Sequence, residues 1–137
     1  MSADGEAPPF EQLDFLYVPS RDVAAETREL VEVVGARLVF TIEAMGTRVA
    51  MVRLSAEPPA LLLAGHVEGE RPVLVYRVPD LDAAVRALAA RGSEPEARLE
   101  IPHGPCCSFT VHGGHRIALY EPTRPGATEH FAGRRDF

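Results

Sequence analysis

A repeat constrains this chain more than any other feature. An apolar strand, an aspartate, a helix and a glycine stop occur twice, in the same order and at nearly the same spacing. Asp22 and Asp80 lie 80 − 22 = 58 residues apart, Phe15 and Val73 lie 73 − 15 = 58 apart, and Gly35 and Gly92 differ by 92 − 35 = 57. Recurrence at a fixed period marks a duplicated supersecondary unit, because one such unit cannot bury its apolar face alone.

In the first copy, residues 13–19 alternate with the period of a strand: Leu13, Phe15 and Tyr17 share one parity, Leu16 and Val18 the other. Asp22 is placed to cap a helix over 23–34 with Val23, Thr27, Leu30, Val31 and Val34 on one face, and Gly35 stops it. Strands are expected over 37–43, 48–54 and 59–64, parted by turn residues at 44–47 and 55–58. A polar connector over 65–71 leads into the second copy: a strand over 73–78, a helix over 81–91 introduced by Pro79-Asp80, and strands over 97–101, 106–111 and 115–121. His112-Gly113-Gly114 forms the tight turn of the closing hairpin. The chain therefore reads as a lead-in (1–12), a single domain (13–122, units 13–64 and 72–122) and a tail (123–137). His130, Phe131 and Phe137 give the tail anchors on the body or on a partner subunit.

A length of 137 residues suffices for one domain with a real core. The formal charge of −6 argues against a nucleic-acid partner, which ordinarily requires a basic footprint. No apolar run approaches the roughly 20 residues that span a bilayer, so no membrane partner is expected. The acidic, Pro-rich start is the wrong chemistry for a signal peptide. A soluble cytoplasmic protein is the expectation.

Residues 101–122 hold both cysteines, Cys106 and Cys107, and three of the five histidines, His103, His112 and His115. A disulfide between neighbours is strained, so reduced thiols are expected. Adjacent strand residues point to opposite faces, so the two thiols cannot readily share a cation. Nucleophilic chemistry at Cys106 or Cys107 with His103 as base needs the two brought together across Gly104-Pro105. Glu100, Glu43 and His66 are candidates for general acid–base work. Cys106, Glu100 and His103 are retained as weak catalytic candidates.

Two βαβββ units, the strand–turn–Asp–helix openings and a closing F-x-x-x-x-G-x-x-I-x-L-Y-E-P hairpin (109–122) resemble the vicinal oxygen chelate superfamily, the glyoxalase, bleomycin-resistance and extradiol-dioxygenase group. The resemblance covers 13–122. It implies an α+β fold in which two units form a concave, cup-like mixed sheet with the helices outside, and it implies a homodimer. Metal enzymes of the group place four ligands on the inner faces of the first and last strand of each unit. Those positions here are Phe15, Leu62, Val73 and Ala118. None offers a nitrogen, oxygen or sulfur lone pair, so metal-dependent glyoxalase or dioxygenase chemistry is not expected, and no metal or cofactor is implied.

Alternation places Tyr17, Val75, Arg77, Arg116 and Tyr120 on the same surface as those four positions, with Cys106 and Ser108 on the neighbouring strand. An apolar, aromatic cup with a few fixed polar groups is the usual make-up of a small-molecule pocket. Arginines at its mouth would suit a carboxylate, phosphate or enolate. The expected function is metal-free binding of the bleomycin-resistance type, sequestering an apolar or aromatic oxygenated ligand. The alternatives are a metal-independent lyase or isomerase, and an assembly module whose cup is filled by its own side chains.

Overall fold

The computed structural model describes residues 8–137; residues 1–7, the greater part of the expected lead-in, lie outside it. β1 (Gln12–Pro19) leads to α1 (Val23–Glu29), which continues through a π-helical turn (Leu30–Val34) into β2 (Arg37–Ala44), β3 (Thr47–Arg53) and β4 (Ala60–Ala64). The second unit repeats this order as β5 (Val73–Arg77), α2 (Leu81–Ala90), β6 (Ala97–Ile101), β7 (Gly104–Thr110) and β8 (Arg116–Tyr120), and α3 (Ala127–Phe131) follows in the tail.

The capping chemistry is the same in both copies. Asp22 Oδ1 accepts from the Ala25 amide at 3.0 Å, and Asp80 Oδ1 accepts from the Ala83 amide at 3.0 Å. Each cap satisfies an orphan amide at a helix start, worth about 1 kcal/mol. Gly35 and Gly92 end the two helices at φ 90° and 92°, in the left-handed region that a side chain disfavours.

All eight strands form one sheet in the order β2-β3-β4-β1-β5-β8-β7-β6. β1 and β5 pair antiparallel at its centre, with Phe15 opposite Val75 and Tyr17 opposite Val73. These two pairs interchange under the repeat, since 73 − 15 = 58 and 75 − 17 = 58. The duplication read from the sequence is thus a pseudo-two-fold axis between β1 and β5. Around it, β1 pairs parallel with β4 and β5 pairs parallel with β8.

Each face of the sheet has its own apolar cluster. On the convex side α1 packs Val23 on Ala50 and Leu63, while α2 packs Leu81 among Val78, Cys107, Phe109 and Leu119. The concave side gathers Phe15, Phe40, Met51, Leu62, Val75, Cys106, Ala118 and Tyr120. Fully burying a side chain of this size stabilises by roughly 1.5–3 kcal/mol.

Two local features depart from the sequence pattern. The helix expected over 23–34 loosens into a π turn after Glu29, and its wider winding leaves Val33 78% and Val34 60% exposed, so Val34 leaves the apolar face. The tail wraps the β2 edge: Phe131 packs on the concave cluster and Phe137 on the α1 cluster. Between them the Thr41 amide donates to Arg134 O at 2.9 Å and the Asp136 amide donates to Thr41 O at 3.0 Å. The β2 edge therefore borrows a partner from its own chain, an established way of covering an open sheet edge.

Candidate functional site

Strand alternation builds the concave face. Phe15 and Tyr17 of β1, Val73 and Val75 of β5, and Ala118 and Tyr120 of β8 all contribute to its cluster or pack against it, as do Leu62 of β4 and Cys106 of β7. The neighbouring Cys107 belongs to the α2 cluster on the other side, so the two thiols face apart. Register arranges the inner residues in two adjacent rows, Ala60–Phe15–Val75–Ala118 and Leu62–Tyr17–Val73–Arg116. Ser108 extends the first row and is half-buried; Arg116, half-buried at the end of the second, donates to Arg71 O at 2.7 Å.

Phe15, Leu62, Val73 and Ala118 alternate between these rows around the pseudo-two-fold axis. They bring together four hydrocarbon side chains, at the positions where the resemblance would have placed metal ligands. A divalent ion does not fit that set, because nothing in it replaces a shed water. Among the described residues no three His, Cys, Asp or Glu side chains converge as an alternative cation site.

The polar groups gather at one end of the cup. A bulge in β1 between Leu13 and Phe15 turns Asp14 inward, where it is 8% exposed. The Tyr120 hydroxyl donates to Asp14 Oδ2, Gln12 Nε2 donates to Oδ1 at 2.6 Å, and Arg77 stands 3.8 Å from Oδ2 and 3.5 Å from Glu11. Burial, then the hydrogen bond to the carboxylate, pushes the Tyr120 phenol above its ordinary range. Burial does the same to Tyr17.

His103 completes this end. Its ring lies 4.6 Å from that of Phe15 and edge-on to Tyr120 at 6.3 Å. Nε2 shares a 2.7 Å hydrogen bond with Thr128 Oγ1 of α3, while Nδ1 is buried without a partner. Burial holds the imidazole below its ordinary pKa, against the attraction of Asp14 and Glu129. It is therefore a neutral ring with one unused nitrogen.

α3 covers the cup. Phe131 packs on Phe40 at 5.9 Å, Thr128 ties to His103, and Ala127 is buried. Clefts of about 890, 480 and 350 Å³ lie elsewhere, and Arg116 is the one cup residue lining any of the three. Leu62, Val75, Ala118, Cys106 and Tyr120 are under 5% exposed, whereas Tyr17, Val73 and Arg116 are only half-buried.

The catalytic candidates separate. His103 lies against the rings of Phe15 and Tyr120, and Cys106 belongs to the same cluster as those rings, with its thiol pushed up to about 12 by burial, which leaves no thiolate at neutral pH. Glu100 is exposed and paired with Arg124 at 2.6 Å. Glu43 is exposed beside Arg48, and His66 is exposed beside Thr47. His112 and His115 are exposed around the hairpin turn. Sequence reasoning missed Asp14, Phe40 and Met51, and named Phe131 only as a tail anchor. Asp14 had a signal, a lone carboxylate inside the apolar run Leu13 to Val18; the others depend on how the sheet curls.

The cup, its central two-fold and its outer helices define the vicinal oxygen chelate fold, and this chain has that fold. Solved structures share it: a methylmalonyl-CoA epimerase from Mycobacterium tuberculosis (TM-score 0.71, 20% identity, covering 92% of this chain and 99% of that one) and a hypothetical protein from Bacillus halodurans (0.69, 10%, covering 80% and 93%). A Streptomyces coelicolor methylmalonyl-CoA epimerase in complex with 2-nitronate-propionyl-CoA is a third (0.65, 15%, covering 84% and 96%). At these identities the likeness is one of fold. No protein-family model and no curated protein matches the chain.

Proposed function

We propose that this protein is a metal-free small-molecule binder that sequesters a flat, apolar or aromatic ligand bearing an oxygen function in its cup. His103 carries the proposal: a buried neutral imidazole with an unused Nδ1, set among the rings of Phe15 and Tyr120. An unsatisfied buried nitrogen is costly unless a ligand completes it. The four hydrocarbon side chains at the cation positions support the metal-free part. The protonated Cys106 thiol and the Asp14 carboxylate, already engaged by Tyr120 and Gln12, support sequestration over chemistry.

The same proposal places the protein in the cytoplasm, consistent with its two free cysteines, and as a homodimer. Unlike β2, β6 has no chain segment on its outer edge among the described residues. Its Leu99 is 54% exposed between Arg98 and Glu100, an order that complements itself when two copies pair antiparallel. Sedimentation of wild type and Leu99→Lys checks the dimer; a wild-type monomer at all concentrations removes it.

An assembly role without a pocket ligand is favoured by one observation, that α3 closes the cup with side chains of the same chain. Native mass spectrometry and thermal shift against an aromatic ligand panel separate the two, with Phe131→Ala as the key variant. If α3 must move aside for binding, loosening it by about 1.4 kcal/mol raises the apparent affinity roughly tenfold. Saturable stabilisation, a ligand recovered unchanged and tighter binding to Phe131→Ala are the expected results. Product formation overturns sequestration, and no binding to either protein leaves the assembly role.

A further inference from the structure

The π-helical turn Leu30–Val34 stands beside a feature the cup does not use. Regular helix geometry is abandoned there, and π turns are frequent at functional sites. Two residues of the turn, Val31 and Glu32, line a cleft of about 350 Å³ between the helix and the β2 edge, across the sheet from the cup. Leu38 and Phe137 form its opposite wall, and Arg28 and Glu32 are exposed at its rim.

Thr27 lines this cleft at 5% exposure, and its Oγ1 has no hydrogen-bond partner. A helical threonine ordinarily turns its hydroxyl back to a carbonyl one turn earlier; Thr27 does not. Thr41 on the far wall is already satisfied, its Oγ1 donating to Phe137 O at 3.2 Å and accepting from the Phe137 amide at 3.3 Å. Thr27 thus holds one buried, unsatisfied hydroxyl on the lining of the cleft, beside the apolar Ala24, Val31 and Leu38.

We propose that this cleft is a second ligand site, separate from the cup, for a small neutral molecule with an apolar ring or chain and one hydroxyl that pairs with Thr27 Oγ1. Its volume falls in the range of small-ligand pockets. The opposite charges of Arg28 and Glu32 cancel at the rim, so the site selects no ion.

The experiment is an amide NMR titration of the full chain with p-cresol and with toluene. Saturable shifts at Thr27, Val31 and Leu38 are expected, with p-cresol binding about tenfold tighter than toluene, the size of one neutral hydrogen bond. Thr27→Val keeps the volume and removes the hydroxyl. It should keep the toluene affinity within about twofold and abolish the preference for p-cresol; its amide spectrum reports whether the fold is intact. Shifts confined to the cup, equal binding of the two probes, a preference that survives Thr27→Val, or a cresol-soaked crystal with only water at Thr27 each overturn the proposal.

Discussion

Removing the Tyr120 hydroxyl tests the polar end of the cup most directly. Tyr120 is 4% exposed and donates to Asp14 Oδ2, while Gln12 serves the other oxygen and Arg77 stands 3.8 Å away. Tyr120→Phe leaves the ring tilted against Phe15 at 5.6 Å and deletes only the donor to a buried carboxylate. A hydrogen bond to a charged group contributes about 1.5–3 kcal/mol. At about 2.1 cal/mol/K per residue, a domain of this length unfolds with an entropy near 0.29 kcal/mol/K, so Tm should fall by about 5–10 °C. Urea unfolding at pH 7 and calorimetry provide the readings. Replacing both partners, as Tyr120→Phe with Asp14→Leu, should cost less than the sum of the single changes, because no polar group is then stranded. A loss below about 0.5 kcal/mol for Tyr120→Phe, or strict additivity in the cycle, refutes the pairing. The pH dependence adds a sign. A phenol held above its ordinary value stabilises the fold below pH 10.0, and that contribution is lost as pH rises beyond it. Tyr120→Phe should flatten that alkaline slope, leaving the share due to Tyr17.

Three further outcomes follow from other parts of the structure. The His103 imidazole is held below its ordinary 6.5, so the unfolded chain takes up a proton first as pH falls; stability present above 6.5 should decline below it, and His103→Phe should lose that slope in urea titrations at successive pH values. The Cys106 thiol, raised to about 12, should react with a thiol reagent at pH 8 roughly three orders of magnitude more slowly than a free cysteine until the chain is unfolded, and fast labelling of native protein would contradict its burial. Gly104→Ala drives a Cβ into Glu121 O at φ +154°, so it should cost about 3 kcal/mol or more in urea, or yield no folded protein at 37 °C.

The legible part of the site was its surface. Period-two alternation assigns Phe15, Tyr17, Val75, Ala118 and Tyr120 to one face, and it parts Cys106 from Cys107, because a strand turns every side chain by half a revolution. The illegible part sits where that rule is interrupted. A bulge of one residue brings Asp14 into the cup beside Phe15, and nothing in Leu-Asp-Phe marks where a ladder will slip. The π turn likewise shifts Val34 off a face that a 3.6-residue period assigns to it.

By itself the sequence determined the duplicated βαβββ plan, both aspartate caps and the glycine stops. Each of these is written in neighbouring residues or in a spacing of 57 or 58, and local chemistry suffices to read it. Only the tertiary structure decided that α3 covers the cup, that His103 meets Thr128 across 25 residues, and that the tail pairs with β2 across more than 90. Those contacts are chosen by the curl of the sheet and the apolar area left open on it. Such surface exists only once strands distant in sequence have come together.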